Sequence, residues 1–334
     1  MKTKLVRILA AVLAIGLLAG CGGKPQNAYQ KEPATPAAPE TVGQLKIGQI
    51  PTIDGLPFWV AASKDYYRQQ GVEVELVRFN SAAERDAALA SGQIDGTLTD
   101  IMGAVSLHDN GTPLQITSIN LGATIEEGPF AIVSAPGSGI TKPEQLKGAD
   151  IAIATNTIIH YVTEKLLLEN GIALDEVELV SIPQIPLRFE NLMSGNVKAA
   201  TLPEPLLSLA VHKGGTVVLN DAEAKRNYSQ SVIVFREDAV KEKAEAIKRF
   251  FVAYNMAVID IDRDPEAYKE LLATEANLPP EIKDSWKVIT FSPAQAPGRT
   301  EVEDVVEWLL EKGYISKRVS YDEIVNTTLY PQGE

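Results

Sequence analysis

The sequence predicts an α/β fold built as two similar lobes. Three observations predict it: a length of 334 residues, an alternation of β-type and helical segments from residue 45 onward, and an internal repeat. A chain longer than about 250–300 residues usually forms more than one hydrophobic core. Alternating strands and helices are typical of parallel α/β layers. We therefore expect two cores rather than one.

The elements of the first lobe follow one another with recognisable boundaries. Apolar periodicity and a terminal glycine mark each helix, whereas short β-branched runs mark the strands. The predicted strands are Lys46–Ile50, Val72–Phe79, Gly96–Leu98 and Leu114–Ile119. The predicted helices are Leu56–Gln70, ended by Gly71, and Ala82–Ser91, ended by Gly92.

A second copy of part of this pattern follows at an offset of 103 residues. The strand sequence of residues 74–77 recurs at 177–180, Arg85 matches Arg188, and Leu89 matches Leu192. Eight of the 19 positions from 74 to 92 are identical at this offset. Chance similarity between strand–helix units is the alternative. The shared offset favours two lobes that each present strand ends and helix N-termini at one edge.

The boundaries of the lobes follow from two comparable strands. Phe130–Ser134 and Ser231–Phe235 bracket the second lobe and suggest two crossings of a hinge. We expect lobe 1 to comprise residues 45–132 and 231–334, and lobe 2 to comprise 133–230. The rest of the chain is predicted to be helical and to pack on lobe 1. Its predicted helices are Val240–Ile261, Pro265–Glu275, Pro280–Val288, Val302–Lys312 and Tyr321–Thr327.

Composition and charge exclude several classes of protein. The chain is 45% hydrophobic, too apolar for a disordered protein, and its formal charge of −13 argues against a nucleic-acid partner. One cysteine cannot form an internal disulfide, and three scattered histidines show no paired metal-ligand spacing. We expect no metal and no cofactor.

The N-terminus reads as a secretory signal over residues 1–20. Three basic residues precede an apolar run of about a dozen residues, which is short for a membrane span. Leu18-Ala19-Gly20 stands directly before Cys21 and looks like a bacterial lipobox, in which the cysteine becomes the lipidated first residue. A plain signal peptide with an incidental cysteine is the alternative. Acyl chains would hold a soluble domain at a membrane surface, on the extracytoplasmic side.

Residues 21–44 are predicted to be a flexible tether. They are rich in Pro, Ala, Gln and Glu and show no apolar periodicity. Removal of residues 1–20 leaves 28 basic and 44 acidic residues, a charge of −16. The processed protein therefore has no electrostatic attraction to an anionic surface.

Several segments resemble the substrate-binding lipoproteins of bacterial ABC importers, in the class that binds nitrate, sulfonates, taurine and thiamine-precursor pyrimidines. The resemblance covers roughly residues 45–315. It rests on the lipobox, the order of the two lobes, and the segments Ala90–Gly96, Thr157–Tyr161 and Glu204-Pro205. The resemblance implies a periplasmic-binding-protein-like fold, with a hinge and a ligand cleft. It also implies partners, namely an ABC permease and its ATPase.

The function that the resemblance implies is capture of a small molecule and its delivery to a permease, without catalysis. An enzyme similar to the thiamine-pyrimidine synthases is one alternative, but those enzymes carry a cysteine-rich motif that this chain lacks. The sequence also has no G-x-S-x-G elbow and no P-loop. A ligand-sensing subunit for a membrane receptor is the other alternative, and the sequence does not separate it from transport.

The candidate ligand contacts lie at strand-to-helix turns, where free backbone N–H groups and the helix dipole favour acceptors. Aromatic Phe58 is added as a stacking candidate, although an aromatic one turn into a helix is more often core. Ordinary N-capping is the alternative for the 155–157 turn, and a structural cap for Arg188, which matches Arg85 in the repeat. The candidates are Asp54, Phe58, Thr99, Asp100, Asn120, Thr155, Asn156, Thr157, Gln184, Arg188 and Glu204.

Three of these candidates are acids, which predicts the charge of the ligand. Asp54, Asp100 and Glu204 stand at predicted cleft turns, and Arg188 is the basic residue near them. A solvated surface or a helix cap is the alternative for each acid. Buried carboxylates need a cationic or hydrogen-bond-donating partner, so an amine-bearing, zwitterionic or heterocyclic ligand fits better than a simple anion. Glu204, flanked by two prolines, is the strongest candidate.

Overall fold

The computed structural model describes residues 40–331, and these form two α/β lobes, each around one mixed sheet. The predicted signal at 1–20 and nearly all of the predicted tether at 21–44, with Cys21, lie outside the described residues. The strand order is β2-β1-β3-β10-β4 in the first sheet and β7-β6-β8-β5-β9 in the second. The strands are β1 Gln44–Gln49, β2 Glu73–Arg78, β3 Gly96–Asp100, β4 Leu114–Leu121, β5 Phe130–Ser134, β6 Asp150–Ile153, β7 Glu178–Ser181, β8 Ala199–Pro203, β9 Thr216–Asn220 and β10 Ser231–Arg236.

The two sheets have the same topology, as the repeat predicts. In each sheet two parallel pairs are followed by one antiparallel strand that arrives from the other lobe, β10 in the first and β5 in the second. Strands β1 and β2 thus correspond to β6 and β7, and β3 corresponds to β8. The carboxyl ends of the parallel strands in both lobes are the edges at which ligand sites form in open α/β sheets.

The helices of the first lobe are α1 Leu56–Ser63, α2 Tyr66–Gln69, α3 Ala82–Ala90 and α4 Ile101–Asp109. The single helix predicted over 56–70 is therefore wrong. Asp65 separates α1 from α2 because its backbone adopts the left-handed conformation, with φ of 58°. A second finding is that α2 is anchored by Tyr66, whose hydroxyl donates to Asp260.

The second lobe carries α5 Ile158–Glu169, α6 Ile185–Met193 and α7 Leu206–His212. Its sheet includes the whole of β5, so the domain boundary expected between residues 132 and 133 falls inside a strand. The strand pairs antiparallel with β8 and β9 and cannot be divided between lobes. The crossings between the sheets are residues 122–129 and 221–230.

Buried polar contacts join the two crossing segments. Within the outgoing crossing, Glu127, only 2% exposed, accepts hydrogen bonds from the backbone N–H groups of Gly122 and Ala123 at 2.7 and 2.8 Å. Asn227 Nδ2 donates to the carbonyl of Thr124 at 3.1 Å, so the return segment is bonded to the outgoing one. This pair of linked crossings is where we expect the hinge.

The C-terminal segment contains α8 Glu237–Glu242, α9 Ala244–Arg263, α10 Lys269–Glu275, α11 Arg299–Glu311 and α12 Tyr321–Ile324. Packing on lobe 1 is clearest for α9, whose Phe250 and Tyr254 contact Phe58 of α1. The helix predicted over 280–288 is wrong. Successive turns that follow the pair Pro279-Pro280 occupy this stretch and bury Trp286.

Helix α11 contacts both lobes, whereas the sequence predicted only that this segment packs on lobe 1. It packs on α4 of lobe 1. Trp308 Nε1 of α11 donates to Glu164 Oε2 of α5 at 2.7 Å, and Lys165 Nζ of α5 lies 2.8 Å from Asp304 Oδ2 of α11. The C-terminal segment thus connects the lobes as well as extending the first. Within residues 40–331, none of the helices combines the length and the apolar character that crossing a bilayer requires.

Candidate functional site

A cavity of about 180 Å³ lies between the two lobes, at the carboxyl ends of their strands. Both lobes supply its walls. Lobe 1 contributes Ile50, Thr52, Ile53, Asp54, Arg85, Leu98, Thr99, Asp100, Leu121 and Ser231. Lobe 2 and the crossings contribute Pro129, Phe130, Ile158, Pro203, Glu204 and Ser229. Of the eleven ligand candidates from the sequence, the structure brings four together here: Asp54, Thr99, Asp100 and Glu204.

Asp54 stands on a single 3-10 turn, Ile53–Gly55, between β1 and α1. Its Oδ1 is buried and has no hydrogen-bond partner among the described residues. Burial raises the pKa of Asp54 above its usual value, although the nearby hydroxyl groups of Thr52 and Ser231 oppose this rise. The carboxyl group is therefore held in the cavity wall with part of its hydrogen-bonding capacity unused.

Asn120 hydrogen-bonds to this turn and is not among the residues that line the cavity, although the sequence predicted it to contact the ligand. It is 1% exposed, and its Nδ2 donates to the backbone carbonyl of Asp54 at 2.8 Å. Tyr254 Oη lies 3.3 Å from Asn120 Oδ1 and donates to it from α9. Because the amide is already used on both sides, Asn120 fixes the position of Asp54.

Thr99 and Asp100 end β3, and Asp100 is the N-cap of α4. Asp100 Oδ1 accepts a hydrogen bond from the N–H of Gly103 at 2.8 Å, as an N-cap residue should. Burial raises the pKa of Asp100, and this N–H lowers it by less. Asp100 therefore both caps α4 and lines the cavity.

Arg85 brings a positive charge to the cavity wall, but this charge has protein partners. Its guanidinium lies 2.7 Å from Asp86 Oδ1, and it donates to the carbonyl of Leu98 at 2.9 Å and to Thr99 Oγ1 at 3.1 Å. Sequence reasoning considered Arg85 only as the repeat partner of Arg188. Its place in the cavity follows from its position opposite the end of β3.

Glu204 enters the cavity from lobe 2, after β8, and contacts the C-terminal segment packed on lobe 1. Its Oε1 accepts from Ser208 Oγ at 2.9 Å, and its Oε2 accepts from Trp286 Nε1 at 3.2 Å. Burial raises the pKa of Glu204, and these hydrogen bonds partly offset the rise. Trp286, which sequence reasoning missed, thus joins the two lobes beside the cavity. The sequence did not indicate this role for Trp286, because residues 280–288 were predicted to form a helix.

The turn before α5 is used for capping. Thr157 Oγ1 accepts from the N–H of Ile159 at 3.2 Å and donates to the carbonyl of Ala154 at 2.7 Å. Thr155 and Asn156 are exposed beside it, and Asn156 has a positive φ of 62°. From this stretch Ile158 lines the cavity, an apolar side chain that was not among the polar candidates predicted from the sequence.

Three further candidates lie elsewhere. Phe58 is 0% exposed and packs in the aromatic core with Phe250, because its helix turns that face toward α9. Gln184 is exposed at the start of α6 and makes no capping hydrogen bond. Arg188 is 0% exposed, and it donates to the carbonyls of Thr201 and Ile182 at 2.9 and 2.8 Å. The geometry therefore supports a structural role for Arg188.

The sequence matches the NMT1/THI5-like family over residues 53–268, well over half of the chain. The chain belongs to this family. Among the relatives, a putative aliphatic sulfonates-binding protein of Bacillus subtilis is 25% identical over 288 residues, or 84% of this chain and 80% of the relative. The taurine-binding periplasmic protein of Escherichia coli is 27% identical over 193 residues, or 57% of this chain and 58% of the relative.

Solved structures share the fold. The periplasmic aliphatic sulphonate binding protein SsuA of Escherichia coli superposes with a TM-score of 0.72 at 19% identity, over 86% of this chain and 97% of that one. The alkanesulfonate-binding protein SsuA of Xanthomonas axonopodis pv. citri, bound to MOPS, gives 0.68 at 17% identity, over 86% and 99%. These matches confirm the predicted two-lobe periplasmic-binding-protein-like fold. The names of the relatives agree with the prediction of a binding protein without catalysis.

Proposed function

We propose that this chain is the extracytoplasmic substrate-binding component of an ABC importer. It captures a small organic molecule between its lobes and delivers it to the permease and ATPase of that importer. The observation that carries this proposal is the cavity itself, because residues of both lobes line it at the carboxyl ends of their strands. The names of the sulfonate- and taurine-binding relatives support it.

A two-lobe architecture is suited to reporting whether the site is filled. A ligand that contacts Asp54 on lobe 1 and Glu204 on lobe 2 favours the arrangement in which both lobes reach it. Binding shifts the equilibrium between open and closed forms only by the difference in affinity for the two. A permease that recognises the closed form would therefore distinguish loaded from empty protein.

Attachment to the membrane through Cys21 is part of the same proposal. The lipobox-like Leu18-Ala19-Gly20-Cys21 supports it, and a tether at residues 21–44 would let the lobes approach a permease. We expect the mature chain to fractionate with membranes and the Cys21→Ala variant to be released. Recovery of the wild-type chain in the soluble fraction would contradict the anchor.

A panel of small molecules tests the binding function. The purified chain is melted in the presence of taurine, other sulfonates, nitrate and aminopyrimidines, and we expect at least one compound to raise the melting temperature. Glu204→Ala should reduce that shift, since the variant removes a cavity carboxylate and its contact with Trp286. An absence of any shift across the panel would count against these ligand classes.

A further inference from the structure

We infer that the C-terminal segment braces the hinge on both faces of the protein and so controls how far the lobes separate. Two tryptophans of this segment each donate the indole N–H to a glutamate of lobe 2. The pairs are Trp286 with Glu204, at 3.2 Å, and Trp308 with Glu164, at 2.7 Å. These two contacts are termed the braces. The inference rests on the proposed binding function and adds a device that controls the opening of its site.

The segment that carries both tryptophans is fastened to lobe 1. The N–H of Ile119 in β4 donates to the carbonyl of Gln295 at 2.8 Å, between the two tryptophans in the chain. Beyond α11, the N–H of Asn326 donates to the carbonyl of Ile116 in the same strand, also at 2.8 Å. Trp286 itself is buried in the core around α1 and α9. We therefore expect both tryptophans to move with lobe 1.

The two glutamates lie on opposite faces of the sheet of lobe 2. Side chains alternate between the faces along a strand, so Ile132 of β5 packs with α5, whereas Ala131 and Val133 pack with α7. Glu164 belongs to α5, and Glu204 follows β8 just before α7 begins. A tryptophan fastened to lobe 1 thus contacts lobe 2 on each face of its sheet.

Each brace is also bonded to one of the two crossings. On one face, Ser292 Oγ donates to Glu127 Oε1 of the outgoing crossing at 2.7 Å. On the other, Arg226 Nη2 of the return crossing lies 2.6 Å from Asp304 Oδ2 of α11, and Asp304 also accepts from the hydroxyl of Tyr161 in α5. These bonds place both braces beside the expected hinge, where contacts govern the relative rotation of the lobes.

Helix α7 packs on both lobes, which strengthens the brace at Glu204. Leu207 and Ala210, three residues apart, pack in the core of lobe 2. Leu206 and Leu209, also three residues apart, pack with the core of lobe 1, and Leu209 is 7% exposed. Residues spaced by three share one side of a helix, so α7 presents a separate apolar side to each lobe.

Separation of the lobes would be unfavourable at both braces. Trp286 is 4% exposed and Trp308 is 5% exposed, so loss of the contacts would bring water to two buried aromatic side chains. The braces therefore favour the arrangement in which the lobes meet. Because Glu204 also lines the cavity, one brace shares a residue with the ligand site. A larger closed fraction raises the apparent affinity for a ligand that binds the closed form.

The three tryptophans of the chain provide the test and its matched control. Dyes on Ser91→Cys and Ser194→Cys, in a Cys21→Ala background, report lobe separation by single-molecule energy transfer without added ligand. Both serines are exposed, and they end the equivalent helices α3 and α6. Trp286→Phe and Trp308→Phe keep an aromatic ring but lose the donor. Each should raise the ratio of separated to closed molecules about fivefold, as loss of one buried hydrogen bond predicts, and together they should raise it further. Trp59→Phe, in the core of lobe 1, should match wild type.

Unchanged dye distances in a folded double variant would overturn the inference, and so would an equal shift in Trp59→Phe. Glu281→Lys covers the case in which a tryptophan variant unfolds. Glu281 is exposed, and its Oε1 lies 3.6 Å from Nζ of Lys213 at the end of α7. Reversal of its charge should raise the same ratio about twofold at low salt, and an unchanged ratio would count against the brace. No ligand enters these measurements, so failure of the braces leaves the binding function standing, and an unresponsive ligand panel leaves the braces standing.

Discussion

At the scale of single residues, Arg85 and Arg188 show what the repeat conserves in three dimensions. Arg85 donates to the carbonyl of Leu98, and Arg188 donates to the carbonyl of Thr201, which is 103 residues further along the chain. Each arginine ties its helix to the neighbouring strand of its own sheet. The repeat offset thus links two equivalent structural contacts, of which only the one in lobe 1 lines the cavity.

We expect Arg188→Lys to lower the stability of the protein without changing ligand selectivity. Lysine cannot reach the carbonyls of Thr201 and Ile182 together, and a buried carbonyl without a donor costs about 1–3 kcal/mol. Urea denaturation should therefore show a free energy of unfolding lower by about 2 kcal/mol. An unchanged stability with a lost ligand response would restore Arg188 as a ligand contact.

Asp221 gives the protein a pH dependence at its crossing segments. It is 0% exposed, it accepts hydrogen bonds from Ser229 Oγ and the N–H of Tyr228, and burial raises its pKa to about 6. The unfolded chain releases this proton near pH 4, so the folded state loses stability as pH rises from about 4 to 6.

Comparison with Asp221→Asn isolates this effect. The free energy of unfolding of the wild type should fall relative to that of the variant by roughly 2–3 kcal/mol between pH 4 and pH 7. Chemical denaturation at a series of pH values measures the difference. Parallel curves for the two proteins would show that Asp221 does not titrate in this range.

At the scale of elements, the sequence placed α11 only in part, because it predicted the helix and its packing on lobe 1 but not its contact with lobe 2. The amphipathic spacing of its apolar residues predicted the helix, but its contact with lobe 2 depends on buried polar partners distant in sequence. Glu164 of α5 accepts from Trp308 at 2.7 Å and from Lys312 at 2.6 Å, and His160 lies 3.0 Å from it. Burial opposes ionisation here, but these three hydrogen bonds outweigh it and lower the pKa of Glu164 to about 2.

We expect Glu164→Gln to weaken the connection between α5 and α11. The variant keeps the size of the side chain but loses the charge that pairs with Lys312, which should cost about 1–3 kcal/mol in urea denaturation. Because the folded-state pKa is lowered, the stabilisation is present above about pH 4.5 and is lost as pH falls toward 2. Glu311→Gln on the exposed face of α11 is the control and should leave stability unchanged. Equal stability of both variants would contradict the role of this contact.

The limits of prediction also appear at this scale. Strand and helix periodicity located most elements, and the repeat predicted two lobes with one topology. Local signals did not show that Asp65 would interrupt the first helix, because its left-handed backbone is not a property of composition. Local signals also assigned more polar turn residues to the cavity than line it in the structure. Thr157 satisfies local hydrogen bonds and Asn120 satisfies long-range ones, whereas Ile158 lines the cavity and Trp286 donates to Glu204 beside it.

At the scale of the whole molecule, the two lobes and the linked crossings between them surround the cavity described above. The crossings are where we expect the lobes to hinge, α11 and the Glu204–Trp286 contact join the lobes, and the cavity lies where the strand ends of both lobes meet. The sequence predicted this plan through its repeat and its family resemblance. The contact between Glu204 and Trp286 beside the cavity became visible only in the folded protein.

Filling the cavity tests the central claim most directly. Ile158 lines it at the start of α5, so Ile158→Trp should occupy the space and reduce affinity at least 100-fold for the compound that gives the largest thermal shift. Leu168→Trp is the control, because Leu168 is 53% exposed on the same helix, and this variant should bind like wild type. Calorimetric titration of the two variants gives the answer. Loss of binding in Ile158→Trp alone is the result we predict, and undiminished binding by a folded Ile158→Trp protein would contradict a ligand site between the lobes.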